Sequence, residues 1–390
     1  MRPELQDIVD EVSRVLQRPA TLEDRHFNMV TFSSHGEEID ETRQHSILRR
    51  RSSPDVRRWF EQFGISTSDG PVRIPASPDQ RILPRVCLPA RWNGVTYGYV
   101  WLVDERQDTD QARLPAAMAL AGRAGVLMAQ QSRAREDLEF KLRDLLSADQ
   151  ETAEQAAAEI DQLGVVRRGT PVAAVELRLA VTGTERLEPI NLWSLPRTVL
   201  TATGDDHTIL LVPVPGQDLG PARDVARHAR DLYAAQIEYV LRERLVAGIG
   251  APRLDLAQAR ASWREARLAA RIGQAAPALR PVAAWPELGV YRLLACGPEA
   301  TLAGAVLDPA VLRLLDTGDR ELIATAVSYL GAGGNVQHAA ADLNVHRQTV
   351  YHRLEKIEQV TGLDMSQGDH RLLLHLGLTL APLLRRDSLS

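Results

Sequence analysis

The stretch that decides the reading is Ala339-Ala340-Ala341-Asp342-Leu343-Asn344-Val345-His346-Arg347-Gln348-Thr349-Val350-Tyr351-His352-Arg353-Leu354. Just before it, Gly331-Ala332-Gly333-Gly334 frees the backbone to end a helix whose apolar stripe is Leu322, Ile323, Val327 and Leu330. Asn335 is a good N-cap for a short helix, Val336–Leu343. Ala339 and Ala340 lie on that helix, where small side chains let another helix approach. Leu343-Asn344-Val345 makes a turn, and Asn tolerates the left-handed conformation such a turn needs. A third helix then starts near His346, with Val350, Leu354 and Ile357 as its buried stripe. This is the helix-turn-helix pattern. In it the third helix presents the outer side of its first turns to the DNA major groove. The side chains expected there are His346, Arg347, Gln348, Tyr351 and His352, with Gln337 on the preceding helix. Arg347 suits guanine and Gln348 suits adenine, each by two parallel hydrogen bonds. Thr349 and Arg353 suit phosphate oxygens, and Arg353 is expected to be exposed.

The rest of the chain bounds what surrounds this head. With 390 residues and about 150 per domain, two or three domains are expected. No apolar run reaches the roughly 20 residues of a membrane span. Residues 1–18 go straight into a charged helical pattern, so no secretion signal is read there. Cys87 and Cys296 are the only cysteines, which excludes a disulfide framework or a thiolate metal cluster and points to the cytoplasm. The net charge of −5 argues against general coating of nucleic acid, so any DNA contact must be local. Arginine dominates the basic residues, since Lys141 and Lys356 are the only lysines.

Leu5, Ile8, Val9, Val12, Val15 and Leu16 predict a first helix, ended by Pro19. Two short strands are expected in residues 20–35, and a charged helix over Arg43–Phe63. Asn93-Gly94 between Val86–Ala90 and Val95–Val103 predicts a β-hairpin. Residues 114–147 predict one long helix or two joined ones. Such a segment connects domains and pairs with its copy in a dimer, or packs on its own domain; its apolar spacing is not a clean heptad. Beyond it we expect a helix at 150–163, a strand at Pro171–Val181 and a hairpin over Val199–Val214 turning at Gly204-Asp205-Asp206. A helix over Ala222–Arg244, a strand at Leu245–Gly250, a helix over Leu256–Ile272 and a last strand at Val290–Ala295 complete this part.

Residues Asn335–Asp364, including Thr361-Gly362-Leu363-Asp364, resemble the C-terminal domain of PucR/CdaR-type regulators, and the likeness extends over 319–380. Gln348 stands where that family usually has Asn, and His352 near a usual Arg, which bears on the operator sequence rather than the module. Residues 240–295 resemble the degenerate GGDEF-like middle domain of the same family, through Leu245–Gly250, Ala261–Ala266 and Leu288–Leu294. The tip Gly204-Asp205-Asp206-His207 lacks the second glycine and the Glu-Phe pair that a cyclase needs. The N-terminal part resembles a GAF-type sensor in element order. Its Phe27, Phe32, Trp92 and Trp101 are candidates to line a ligand pocket, and His26 and His35 flank the Phe27–Phe32 strand without a third metal partner.

The resemblance implies a multidomain α+β protein: a GAF-like sensor at 1–105, a helical linker at 106–149, a degenerate GGDEF-like domain at 150–300 and an all-α helix-turn-helix domain at 318–385. It implies a transcriptional regulator, mostly an activator of metabolic or biosynthetic genes. Its partners would be double-stranded operator DNA, a small-molecule effector and a second copy of the chain, with no membrane. No catalytic residue, metal or cofactor is expected. The competing reading is an active nucleotide cyclase, or a nucleotide-sensing module that does not bind DNA; no Walker loop, Gly-x-Ser-x-Gly or His-Glu-x-x-His pattern offers another enzyme class.

Overall fold

The computed structural model describes residues 3–33, 54–78, 82–179, 194–204, 206–235, 237 and 239–385. His35, Asp205 and the first part of the Arg43–Phe63 stretch lie outside the described residues. The chain divides into two compact units, Met1–Leu245 with Pro252–Arg260, and Val246–Ala251 with Ala261–Ser390. Both sheets and helices are present, and the C-terminal part is helical.

The first unit begins with helix α1 (Pro3–Leu16), which buries Leu5, Ile8, Val9, Val12 and Leu16 at the expected spacing. Strands β1 (Ala20–Asp24), β2 (Met29–Phe32), β3 (Val72–Ile74), β4 (Arg85–Trp92) and β5 (Val95–Val103) form an antiparallel sheet in the order β2-β1-β5-β4-β3. Helix α2 (Pro54–Glu61) precedes β3. The β4–β5 hairpin turns at Asn93 and Gly94, both with positive φ (49° and 77°), as the Asn-Gly signal requires. Alternation along the strands sorts side chains to two faces. Val86, Leu88 and Ala90 of β4, with Val100 and Leu102 of β5, pack under α1 and the 32-residue helix α3 (Leu114–Leu145). The first half of α3 sits on the sheet through Ala117, Ala121, Ala124 and Met128. At Gly125 the helix approaches so closely that a Cβ would lie 2.5 Å from the Arg91 carbonyl oxygen.

The opposite face carries Cys87, Tyr99 and Trp101, joined by Phe27 and by Val56 and Phe60 of α2. Phe60 and Trp101 have ring centroids 4.6 Å apart, and Phe27 and Tyr99 5.2 Å. Of the four aromatic residues proposed from sequence to share a pocket, Phe27 and Trp101 meet in this core. Phe32 and Trp92 do not join them, since both are about 40% exposed (41% and 40%).

Helix α4 (Gln150–Gln162) is capped by Asp149, whose side chain accepts from the Thr152 backbone N–H. Strands β6 (Val172–Leu179), β7 (Leu200–Thr203) and β8 (His207–Pro213) are antiparallel, with Val172 opposite Pro213 and Leu200 opposite Leu211. Helix α5 (Gly220–Ala234) follows. It is shorter than the Ala222–Arg244 helix read from the sequence, and Tyr239–Arg244 is a 3₁₀ turn. That turn buries no side chain, so no apolar stripe holds a longer α-helix together there.

In the second unit, β9 (Leu245–Ile249) and β10 (Val282–Ala284) pair in parallel, with Ala247 opposite Val282. Helix α6 (Ala259–Ala275) covers β9 at very close range. A Cβ at Gly248 would fall 1.9 Å from the Ala266 carbonyl oxygen, and one at Gly250 1.9 Å from that of Ser262. The strand expected at Val290–Ala295 is instead part of a 3₁₀ helix, Gly289–Ala295, which buries only Leu294. Its apolar residues do not alternate between two covered faces, and Val290 is 50% exposed. The partner strand of β9 is the shorter Val282–Ala284, which the sequence reading passed over. Helices α7 (Glu299–Val306), α8 (Pro309–Asp316), α9 (Arg320–Gly331), α10 (Val336–Asp342), α11 (Arg347–Thr361) and α12 (Gly368–Leu384) complete the chain. No helix among the described residues is long and apolar enough to cross a membrane.

Candidate nucleic-acid interface

The C-terminal helices form one core from Val311 and Leu314 of α8, Leu322, Ala326 and Leu330 of α9, and Ala339 and Ala340 of α10. Val350, Leu354 and Ile357 of α11 complete it, with Leu374 and Leu378 of α12. Helix α9 ends in Gly333 and Gly334, both with positive φ (65° and 85°). Asn335 then caps α10, its side chain accepting from the backbone N–H groups of Gln337 and His338. The turn closes through Val345 N–H donating to the Ala340 carbonyl (3.0 Å), with Asn344 left-handed at φ 52°. His346 caps α11: its Nδ1 accepts from the Gln348 backbone N–H at 3.3 Å.

With the stripe Val350-Leu354-Ile357 buried, the first turns of α11 expose His346, Arg347, Gln348, Tyr351 and His352. Gln337 is exposed on α10, and Thr349 is half-buried. Seven of the eight residues singled out from sequence thus lie at the surface or its edge. Arg353 departs from its expected exposure. Its side chain, 17% exposed, pairs with Glu321 and donates to Thr325 Oγ1 (3.4 Å), clamping α11 to α9. Similar ties run from Ser328 Oγ to Asp342 (2.7 Å) and from Arg313 Nε to the Val360 carbonyl (3.2 Å). These partners are 14 to 47 positions apart, so no local spacing in the sequence announces them.

The segment after α11 is a compact stop. Gly362 is left-handed at φ 73°, and its N–H donates to the Glu358 carbonyl at 2.7 Å. The Ser366 hydroxyl, the Ser366 backbone N–H (2.7 Å) and the Gln367 amide (3.1 Å) hold the Asp364 carboxylate at a pKa of about 2. The backbone N–H of Leu322 likewise holds Asp319, the cap of α9, below the usual carboxylate range. A carboxylate depressed on folding stabilises above its unfolded pKa and loses that contribution as pH falls through the folded one. The thermal midpoint is therefore expected to be insensitive to these groups near neutrality and to fall between about pH 4 and about pH 2. Asp364→Asn should remove part of that fall in calorimetric scans across this range; an unchanged acid profile would refute the assignment.

The hairpin tip of the first unit holds a different arrangement. Arg178 donates to Glu176 (3.0 Å) and to Asp206 (2.8 Å), and His207 Nδ1 lies 2.8 Å from Asp206. The His207 hydrogen bond foremost holds the Asp206 carboxyl below its usual range. A guanidinium thus sits between the two carboxylates, where a divalent cation would need open oxygens. Among the described residues no group of three or more His, Cys, Asp or Glu is placed to hold a metal ion.

A helix-turn-helix head in a chain that also carries sheet domains defines a class of DNA-reading protein. Residues 322–380 match the PucR C-terminal helix-turn-helix domain, and residues 148–272 match a GGDEF-like domain. It is similar to the DNA-binding transcriptional activator AdeR of Bacillus subtilis (strain 168), at 22% identity over 96% of this chain and 92% of that one. It is similar, again at 22% identity, to the proline-responsive transcriptional activator PutR of the same organism, over 96% of this chain and 95% of that one. An uncharacterized protein of Mycobacterium tuberculosis (strain ATCC 25618 / H37Rv) is 33% identical over 47% of this chain and 41% of its own length.

Proposed function

We propose that this chain is a sequence-specific DNA-binding transcriptional regulator, an activator of metabolic or biosynthetic genes that acts as a cytoplasmic homodimer and answers to a small molecule. The observation that carries the reading is the exposed cluster His346, Arg347, Gln348, Tyr351 and His352 on a helix whose other side is locked in the core. Side chains of this kind on the first turns of a recognition helix read base edges, and half-buried Thr349 is placed for a phosphate. The names of the two Bacillus relatives, both transcriptional activators, support the direction of control, and the proline response of one supports a metabolite signal.

In this reading residues 1–105 are a GAF-like sensor, 106–149 a helical linker, 150–300 a degenerate GGDEF-like domain and 318–385 the reading head. The antiparallel sheet with helices α1 and α3 on one face and an aromatic core on the other supports the sensor assignment. The Arg178 bridge between Glu176 and Asp206 supports a middle domain without turnover.

Genome-wide footprinting of the native protein tests the reading, with fluorescence anisotropy on the recovered sites. Recovery of one recurrent sequence, bound well above scrambled duplex, is expected; uniform binding or none would refute it. Light scattering should give more than the 43.0 kDa of one chain. Incubation with GTP and Mg²⁺ should yield no cyclic dinucleotide, and turnover lost in Asp206→Ala would establish the enzyme reading instead.

A further inference from the structure

We propose that Arg371, with the Tyr329 hydroxyl beside it, holds a phosphate of the DNA backbone at the turn between α9 and α10. Arg371 lies outside the helix-turn-helix pattern, and the site presupposes that α11 reads DNA. It stands in the first turn of α12. The bonds around Asp364 fix that turn: the Asp364 N–H donates to His370 Nδ1 (2.9 Å), and Gln367 Nε2 donates to the Asp364 carboxylate (3.1 Å). From there the Arg371 side chain reaches Gly334. A Cβ at Gly334 would lie 2.8 Å from Arg371 Nη1 and 3.4 Å from the Tyr329 hydroxyl oxygen. The two groups therefore flank one point of the turn. Gly334, already required by its φ of 85°, leaves room for both.

Both donors are unspent. Among the described residues, neither the Arg371 guanidinium nor the Tyr329 hydroxyl makes a hydrogen bond or ion pair. Other cations of the head are tied down: Arg353 to Glu321, Lys356 to Asp319 and Arg385 to Asp316. Arg371 is half-buried, and Tyr329 is 8% exposed with its ring in the core. A half-buried guanidinium has given up part of its hydration, and without an acceptor that loss is uncompensated. An oxyanion restores it. Phosphate takes the guanidinium fork by two parallel hydrogen bonds and can accept another from a phenol O–H.

The location points to the DNA backbone. In a helix-turn-helix the helix before the recognition helix crosses the backbone, while the recognition helix enters the groove. Here the crossing helix is α10, and its first turn exposes Gln337 and His338. The backbone N–H groups of both are already taken by the Asn335 side chain. A phosphate contact at this edge therefore falls to side chains, and Arg371 and Tyr329 meet at the residue just before that cap. Such a contact carries no sequence information; it sets the register and orientation in which α11 enters the groove.

Fluorescence anisotropy of the full chain on operator and scrambled duplexes, at several salt concentrations, tests the site. Arg371→Gln should weaken both by about tenfold, as loss of charge-assisted hydrogen bonds does. The slope of log affinity against log salt should flatten by about 0.9, one phosphate contact. Arg371→Lys keeps the cation and should keep the slope. Tyr329→Phe should weaken both duplexes about threefold with an unchanged slope, since the hydroxyl is neutral. It decides if Arg371→Gln does not fold. Arg320→Gln is the control: its side chain is exposed at the opposite end of α9, about 16 Å from Gly331, and the slope should not move. An unchanged slope in Arg371→Gln, equal flattening in Arg320→Gln, or wild-type affinity in Tyr329→Phe would overturn the site. A wild-type chain that binds neither duplex would overturn the DNA reading itself. Wild-type binding with the slope kept in Arg371→Gln overturns this site alone.

Discussion

Arg347→Ala is expected to weaken operator binding by about 1–3 kcal/mol per half-site, roughly 5- to 150-fold, and to relax base preference at one position of each half-site. The side chain is exposed in the first turn of α11, and no core residue depends on it. Circular dichroism and thermal melting should therefore match the wild type. Gln348→Ala should act alike at a neighbouring base pair. Arg353→Ala makes the informative contrast. Its guanidinium is spent on Glu321 and Thr325, so its loss should loosen the α9–α11 packing by about 1 kcal/mol and lower affinity for operator and scrambled duplex together. Anisotropy titrations at several salt concentrations separate the two patterns. An Arg347→Ala protein that binds the operator like wild type would mean that α11 does not read bases.

The second large effect concerns the fold. Gly248→Val should destabilise the chain by about 3 kcal/mol or more, read as a lower midpoint in urea unfolding. The added Cβ would meet the Ala266 carbonyl oxygen at 1.9 Å and the Ala270 nitrogen at 2.3 Å. Both are helix backbone, so no side chain can swing away, and α6 must lift from β9. Gly304→Ala in α7 is the control. Nothing lies within 4 Å of its Cβ position, so helix propensity alone should make it neutral to about 1 kcal/mol stabilising. Equal midpoints for Gly248→Val and wild type would show that α6 and β9 are not packed this closely.

Where local chemistry dictates structure, the residues could be read directly. Asn335 caps, Asn344 is left-handed, and Val350, Leu354 and Ile357 are buried, because each of these roles depends on neighbours within a few positions. The Asn93-Gly94 hairpin belongs to the same kind. The misreadings arose where burial decides. Val290–Ala295 carries strand-like side chains, yet only Leu294 is buried, and a shorter run at Val282–Ala284 takes the place beside β9. Phe32 and Trp92 look like pocket residues, but they point away from the cluster that holds Phe27 and Trp101. On the reading head, the sequence pattern names the exposed face but wrongly counts Arg353 on it, because its partner Glu321 is 32 positions away.

Helix α3 is unbroken for 32 residues, about 48 Å at 1.5 Å per residue. Its early turns are seated on the N-terminal sheet, with Gly125 against Arg91, and its last turns are bonded to Thr203 of β7. Such a rod is a mechanical lever: a tilt of about 5° at Gly125 sweeps Arg143, 18 residues further on, through roughly 2 Å. That is enough to stretch the hydrogen bonds to Thr203 beyond their working distance.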